Sequence, residues 1–534
     1  MTEQNQQQPN STTGIVSRRS TLRAIGGLLG AGAAAPLLAA CGQSATTGSA
    51  STSAAIATTS APAATSTAAT TASSSVVTTA AASTTASTGS GTSAATTSAA
   101  TSAAPTSAAA AAPAVQPGTL NLFVNKINTP PGAQDALLKT LIASFQQTNT
   151  GVKVAYNTYS SAAEESTKIE TSVASNSGPD IFEFGSTVVP TAAATGAFVV
   201  ITDALWNTIG GSEGKAKFFP AQLKMSGLTP NALIAVPEYM LPFALVYNTD
   251  LLTASGDQPP TTWTEFVNTA KKMTDPAQDQ WGTVMDPSDS FDPWHILWVL
   301  AKQLGGDFIS ADMTQSTMTS DPVYKAFRFW FDWMANYKIA KTSDATFKGP
   351  DLLNKFASGK VGFMVMQGPT TIPTLDKSAV KGKYAFSPMP TVPYGLTSLP
   401  SGGVPVQTFV SGQYLTIAKF SKLQDDAILW MKYVTDVTQQ MQFLKTYGYM
   451  PGIVDAYKQP ELQTPVWKAF VAAENNAYAT PLTGAWGPIE TIVGGVASKI
   501  AAEYATNSYK TGDLKNALAA TNSSIQTALS AQKK

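Results

Sequence analysis

The chain has 534 residues, with 34 lysines and arginines against 34 acids, one histidine and one cysteine. Balanced charge argues against a broad footprint for nucleic acid or an anionic membrane. One thiol and one imidazole exclude an intrachain disulfide, a thiolate metal cluster and any two-histidine metalloprotease motif.

The N-terminus has the layout of an export signal. Residues 1–17 are polar, Arg18 and Arg19 follow in Ser17-Arg18-Arg19-Ser20, and a weakly apolar run rich in Ala and Gly extends from Ala24 to Ala40. A positive region, a short apolar region and small residues at the end define such a signal. At 17 residues the run is short for a spanning helix, which needs about 20 mostly apolar residues. The arginine pair resembles a twin-arginine signal, with Thr21 where such signals usually carry Phe. The ending Leu38-Ala39-Ala40-Cys41 resembles a lipobox, which implies cleavage before Cys41 and its acylation. Cys41 is the only cysteine, so the single thiol falls where lipidation requires it. Residues 1–41 hold three Arg and one Glu, so the chain from 42 onward carries 31 basic and 33 acidic groups, a net of −2.

Residues 42–118 contain no charged residue and consist almost wholly of Ala, Ser and Thr with scattered Pro and Gly. No apolar periodicity offsets the entropy of ordering such a segment, which reads as a disordered tether. A flexible chain of that length has an r.m.s. span of roughly 50 Å.

From residue 119 the pattern becomes that of a folded domain containing all ten tryptophans. Thr119–Val124 is an apolar strand. Leu137, Leu138, Leu141, Ile142 and Phe145 follow at helical spacing, and Val152–Tyr156 alternates as a second strand. A helix around 164–174 precedes a third strand over Pro179–Phe184. Strand, helix, strand, helix, strand implies parallel pairing and an α/β fold. Further on, Asp321-Pro322 predicts a helix start with Asp321 as N-cap. Ser421-Lys422-Leu423-Gln424 has capping-box spacing ahead of a long helix. Trp330 and Trp333 read as core residues of the Asp321 helix. No dinucleotide fingerprint, phosphate loop or G-x-S-x-G motif occurs, and no cofactor is expected.

Four segments carry a family resemblance. They are Ser177-Gly178-Pro179-Asp180-Ile181-Phe182 with Gly196–Ile201; Val246-Tyr247-Asn248-Thr249-Asp250-Leu251-Leu252 with Pro259–Phe266; Phe356–Pro369; and Ile417–Lys422 with Gly448-Tyr449-Met450-Pro451. In this order they resemble the family 1 extracellular solute-binding proteins. The resemblance implies a two-lobed α/β fold of the periplasmic-binding type, with a hinge and a ligand in the interlobe cleft. It places lobe one at about 119–245 plus 390–450, and lobe two at about 250–385 plus 451–534. It further implies a monomeric receptor that captures a small solute, most simply a sugar, and delivers it to the permease subunits of an ABC importer. The lipid on Cys41 would hold it to the outer face of the cell membrane.

Sugars present flat C–H faces and many hydroxyls, so their sites combine aromatic platforms with polar side chains. The resemblance matches Trp294 and Trp486 to family platforms, each flanked by Pro and Gly; the other reading of each is a plug at the top of its lobe. Glu183, Phe184 and Ser186 follow the third strand, where open parallel sheets bind ligands. Tyr239 near the hinge, with packing between the lobes as its other reading, Asn128 after the first strand, and Gly368 and Thr370 complete the candidates. Thr370 and Thr371 stand where the family often has Trp, which leaves the sugar class open. His295 reads as a packed residue, with ligand bonding or titration near neutral pH as its other reading. Asp286, Asp289 and Asp292 lack calcium-loop spacing and read as a solvated loop. Two other functions fit the residues. A polyamine ligand would use Asp180, Glu183 and Glu238, and a secreted glycan-active enzyme needs only two carboxylates.

Overall fold

The structure is a computed structural model and describes residues 115–127, 131–290, 292–510 and 512–532. The signal, Cys41, most of the tether and Asn128 lie outside the described residues.

Among the described residues ten strands form two sheets: β1 (Thr119–Asn125), β2 (Lys153–Tyr159), β3 (Ile181–Gly185), β4 (Ala235–Met240), β5 (Ala244–Asn248), β6 (Trp281–Thr283), β7 (Val361–Gln367), β8 (Tyr384–Ser387), β9 (Gly412–Ile417) and β10 (Met450–Pro451). The first sheet runs β10-β4-β9-β3-β1-β2 and the second β6-β7-β5-β8. β1 pairs in parallel with both β2 and β3, the α/β arrangement that the opening pattern predicts. β9 lies antiparallel between β3 and β4.

The chain leaves the first sheet between Met240 and Ala244, returns between Ser387 and Gly412, and leaves again after Pro451. Directions fix which strand ends face these crossings. β4 ends at the first crossing, and β1 and β3 run the same way, so all three point their carboxyl ends there. β5 begins at that crossing, β7 opposes it and β6 parallels β7. The carboxyl ends of β6 and β7 therefore face the same region, the edge where α/β sheets bind ligands.

Each sheet is covered by helices whose apolar faces follow the sequence. Over Trp263–Met273, Thr262 and Glu265 form a capping box, and Trp263, Phe266, Val267 and Ala270 are buried. The helix Asp321–Ala335 starts one residue before the expected place: Ser320 is the N-cap and Asp321 is already helical. Its Trp330 and Trp333 are buried. The capping box expected at Ser421 does not form. Ser421 Oγ donates to Asp180 Oδ1 at 2.7 Å and accepts from the Leu423 N–H, and the helix starts later, at Gln424. The long helix predicted there is two, Gln424–Val434 and Val437–Tyr447, because Asp436 caps a new start by accepting from the Thr438 N–H.

Candidate functional site

Two recesses open beside the first crossing, four residues apart along the chain. Tyr239 lines one and Phe243 the other, a separation of about 13 Å in extended chain.

The first recess, about 20 Å³ and so room for one water-sized group, lies under the carboxyl ends of β1, β3 and β4. Alternation along β3 turns Ile181 and Glu183 to this side and Phe182 and Phe184 to the other. Glu183 is buried. Its Oε1 accepts from the Tyr239 hydroxyl at 2.7 Å and its Oε2 from the Asn125 N–H at 3.2 Å. Burial nevertheless pushes its carboxyl up to about 7. Tyr239 stacks on Tyr449 with ring centroids 4.4 Å apart. Glu238 also lines the recess; burial and then the Glu183 charge raise its carboxyl well above the usual range.

The second recess, about 240 Å³ and the larger of the two, lies at the ends of β6 and β7. Asp286 follows β6 and Asp292 opens the helix Pro293–Gln303; both line it, with Gln367, Gly368 and Thr370 after β7. Low-polarity surroundings and then the Asp289 charge bring the Asp292 carboxyl up to about 7. Asp286 is raised further, by burial and then by Asp292 and Asp289. His295, buried against Phe243 and Phe409, is held down to about 3 and is neutral at physiological pH. Met366 lines the same recess with φ of 53°, in the left-handed region that costs a non-glycine residue about 1–3 kcal/mol. The register of β5 on β7 shifts beside it. Strain held at a recess is a mark of a functional position.

Between the recesses the turn after the helix Val437–Tyr447 touches the turn after β7. Gly448 closes the helix Val437–Tyr447 with φ of 78°, and a Cβ there would lie 2.8 Å from the Pro369 carbonyl. Tyr447, just before it, lines the first recess, and Thr370, beside Pro369, lines the second.

The sequence candidates divide among these places. Glu183 and Tyr239 meet in the first recess; Gly368 and Thr370 line the second. Phe184 is fully buried on the other sheet face, packed on Phe182 and Phe198. Ser186 is buried and donates its N–H to the Gly412 carbonyl at 2.9 Å. Trp294 and Trp486 stand in the first turns of helices, and no part of either ring is exposed. They meet edge to face at 5.9 Å in the core, with Trp294 backing His295 and Phe409. Asp180 is occupied structurally, accepting from the Asn121 N–H and the Ser421 hydroxyl. The loop of Asp286 and Asp292, read from sequence as solvated, forms recess wall. The missed signal is position, since acids directly after a parallel strand fall at the ligand-binding edge. Phe243 and Gln367 carry no comparable sequence mark.

A model of the bacterial extracellular solute-binding proteins matches residues 128–441, more than half of the chain. The chain belongs to that family, whose members act outside the cytoplasm. The diacetylchitobiose binding protein DasA of Streptomyces coelicolor is 24% identical over 332 residues, covering 60% of this chain and 72% of that one. Among solved structures, the GacH receptor of Streptomyces glaucescens, studied with acarbose, superposes with a TM-score of 0.62 at 20% identity, over 78% of this chain and 99% of that one. Maltose-bound MalE3 of T. maritima gives 0.62 at 21% identity, over 76% and 99%. The sugar-binding protein MalE of Xanthomonas citri gives 0.63 at 18%, over 78% and 98%. These likenesses establish the two-lobed solute-binding fold.

Proposed function

We propose that this chain is the receptor of an ABC importer, capturing a sugar or oligosaccharide between its lobes and presenting the closed form to a permease. One observation carries the reading. Both sheets turn the carboxyl ends of parallel strands toward the same three chain crossings, the first beside a small, largely apolar recess that holds Glu183 and Glu238, the second beside a larger polar one. Few segments connect the lobes, which suits hinge closure around a ligand. The sugar assignment draws support from DasA, GacH and MalE3, which are named with diacetylchitobiose, acarbose and maltose.

Glu183 and Tyr239 would face the ligand from one lobe, and Gly368, Thr370 and Gln367 from the other. Asn128, which follows β1 in the sequence, is a further candidate contact. Trp294 and Trp486 would shape the wall from behind. The protein acts as a monomer without catalysis, held to the membrane through lipid on Cys41 and spaced from it by 42–118. Cys41→Ser should abolish incorporation of labelled fatty acid; a variant still labelled would refute the anchor.

The test of the sugar reading is thermal unfolding of the full-length chain with maltose, maltodextrins, diacetylchitobiose, acarbose and spermidine. A ligand at 100 times its Kd adds about 2.7 kcal/mol of stability. A saccharide that raises Tm and is recovered intact supports the reading. A shift from spermidine alone overturns the sugar, and cleavage products overturn the absence of catalysis.

A further inference from the structure

The charge of the cleft says more about the ligand. Glu183 and Glu238 line the first recess, and Asp286 and Asp292 the second. No lysine or arginine lines either recess. Among the described residues none of these four carboxylates forms an ion pair with Lys or Arg. The basic group beside them, His295 with Nδ1 3.9 Å from Asp292 Oδ1, is held neutral by burial.

An acidic lining alone would be a weak argument, since neutral sugars also use carboxylates as acceptors. Glu238 provides a second, independent observation. It is 6% exposed, it lines the first recess, and its Oε2 has no hydrogen-bond partner. Neighbouring acids find donors: Glu183 has the Tyr239 hydroxyl and the Asn125 N–H. A buried carboxyl oxygen without a donor costs free energy until something supplies a proton or a positive charge. On the other side of the crossing, Asp286 and Asp292 line one recess and repel each other. Gln367 and Thr370 stand beside them to pair with hydroxyls.

We propose that the ligand is a cationic amino sugar, a saccharide with free protonated amines that meet the Asp286–Asp292 pair on one lobe and the Glu183–Glu238 pair on the other. This rests on the sugar-receptor reading above and narrows it. An ammonium donates three hydrogen bonds and carries the charge both walls lack, and charge-assisted bonds to carboxylates are the strong ones. Hydroxyls pair with Gln367 and Thr370, and an acetylated amine would forfeit the charge. The carboxyls lie high because they are buried, with neighbouring acids adding to the effect for Glu238, Asp286 and Asp292, and a bound cation would oppose both causes, so binding one should expel protons from them. A neutral sugar has no such effect.

The test is calorimetric titration of the full-length chain with three matched disaccharides: chitobiose with free amines, diacetylchitobiose and cellobiose. Chitobiose should bind roughly tenfold or more tighter than the other two, as a charged hydrogen bond gained at each lobe requires. Its binding heat should vary between buffers of different ionisation enthalpy, reporting proton release. Asp292→Asn and Glu238→Gln, checked for a native unfolding transition, should each shrink that preference. The buffer measurement on the unaltered chain stands even if a variant fails to fold. Equal or tighter binding of diacetylchitobiose or cellobiose, without proton release, overturns the amino-sugar inference and leaves the sugar receptor standing. Silence from all three disaccharides overturns the amino-sugar inference, and silence from maltose, the maltodextrins and acarbose as well overturns the sugar receptor with it.

Discussion

The two walls of the cleft are built on equivalent sheet edges yet hold their acids differently. On the first sheet Glu183 sits in an aromatic pack of Tyr239, Tyr449 and Tyr447, with both carboxyl oxygens hydrogen-bonded. On the second, Asp292 stands at the start of a helix with its side chain 45% exposed, beside the larger recess. The first wall is fixed by its own hydrogen bonds, and the second by the tryptophan core behind it. Ligand contacts on the second side should therefore depend on residues that never touch the ligand.

Removing that backing gives the largest expected effect. Trp486 is fully buried against Trp294, Trp298 and Phe308. Trp486→Ala should cost about 3–5 kcal/mol of stability, the range for emptying an aromatic site in a core. Chemical denaturation measures this directly. A loss below about 1 kcal/mol, paired with a large loss of affinity, would instead make Trp486 a platform that reaches the ligand.

The joint between the walls comes next. Gly448→Ala would force a side chain into the left-handed region and against the Pro369 carbonyl, 2.8 Å from its Cβ. About 2–3 kcal/mol should be lost, from backbone strain plus overpacking. Because the clash lies between the lobes, the variant should also favour an opened form, seen as a larger radius of gyration in X-ray scattering. A compact variant of unchanged stability would show that the joint does not hold the walls together.

This division explains what could be read from the sequence. The parallel opening β1–β2–β3 was legible because apolar alternation and helical spacing are local signals. Glu183 was named from its place at the carboxyl end of the third strand, and the structure puts it at that edge, beside the first recess. Trp294 and Trp486 were harder. A tryptophan among Pro and Gly looks identical whether its ring meets solvent or core, and only the packing of Phe308, Trp298 and Phe409 around them decides. The aspartates near 286–292 looked like a solvated loop because nothing local reveals that β6 ends at the crossing edge. The start of the helix after Ser421 moved because Asp180, 241 residues away, takes the hydroxyl.

The smallest effect separates the walls by pH. Carboxyls raised by burial bind protons more tightly in the folded chain than in the unfolded one, so their stabilising contribution is full below about pH 4 and is lost as pH rises through the folded value. Glu183 lies at about 7 and Glu165, buried beside Tyr159, at about 8. Asp292 on the other wall is also at about 7. His295 has the opposite sign, since its value falls from 6.5 to about 3, so it penalises folding only on the acid side. Between pH 6.5 and 9 the carboxyls act alone, and stability should fall by up to about 1.4 kcal/mol per pH unit for each extra proton held. Glu183→Gln should flatten that decline while forfeiting part of the Tyr239 hydrogen bond. Asp292→Asn should flatten it less, because its half-exposed side chain is stabilised by water when ionised. Denaturation midpoints at the two pH values check the order. Equal flattening by both variants would mean that the second wall is as dry as the first, and that the contrast between them lies in shape alone.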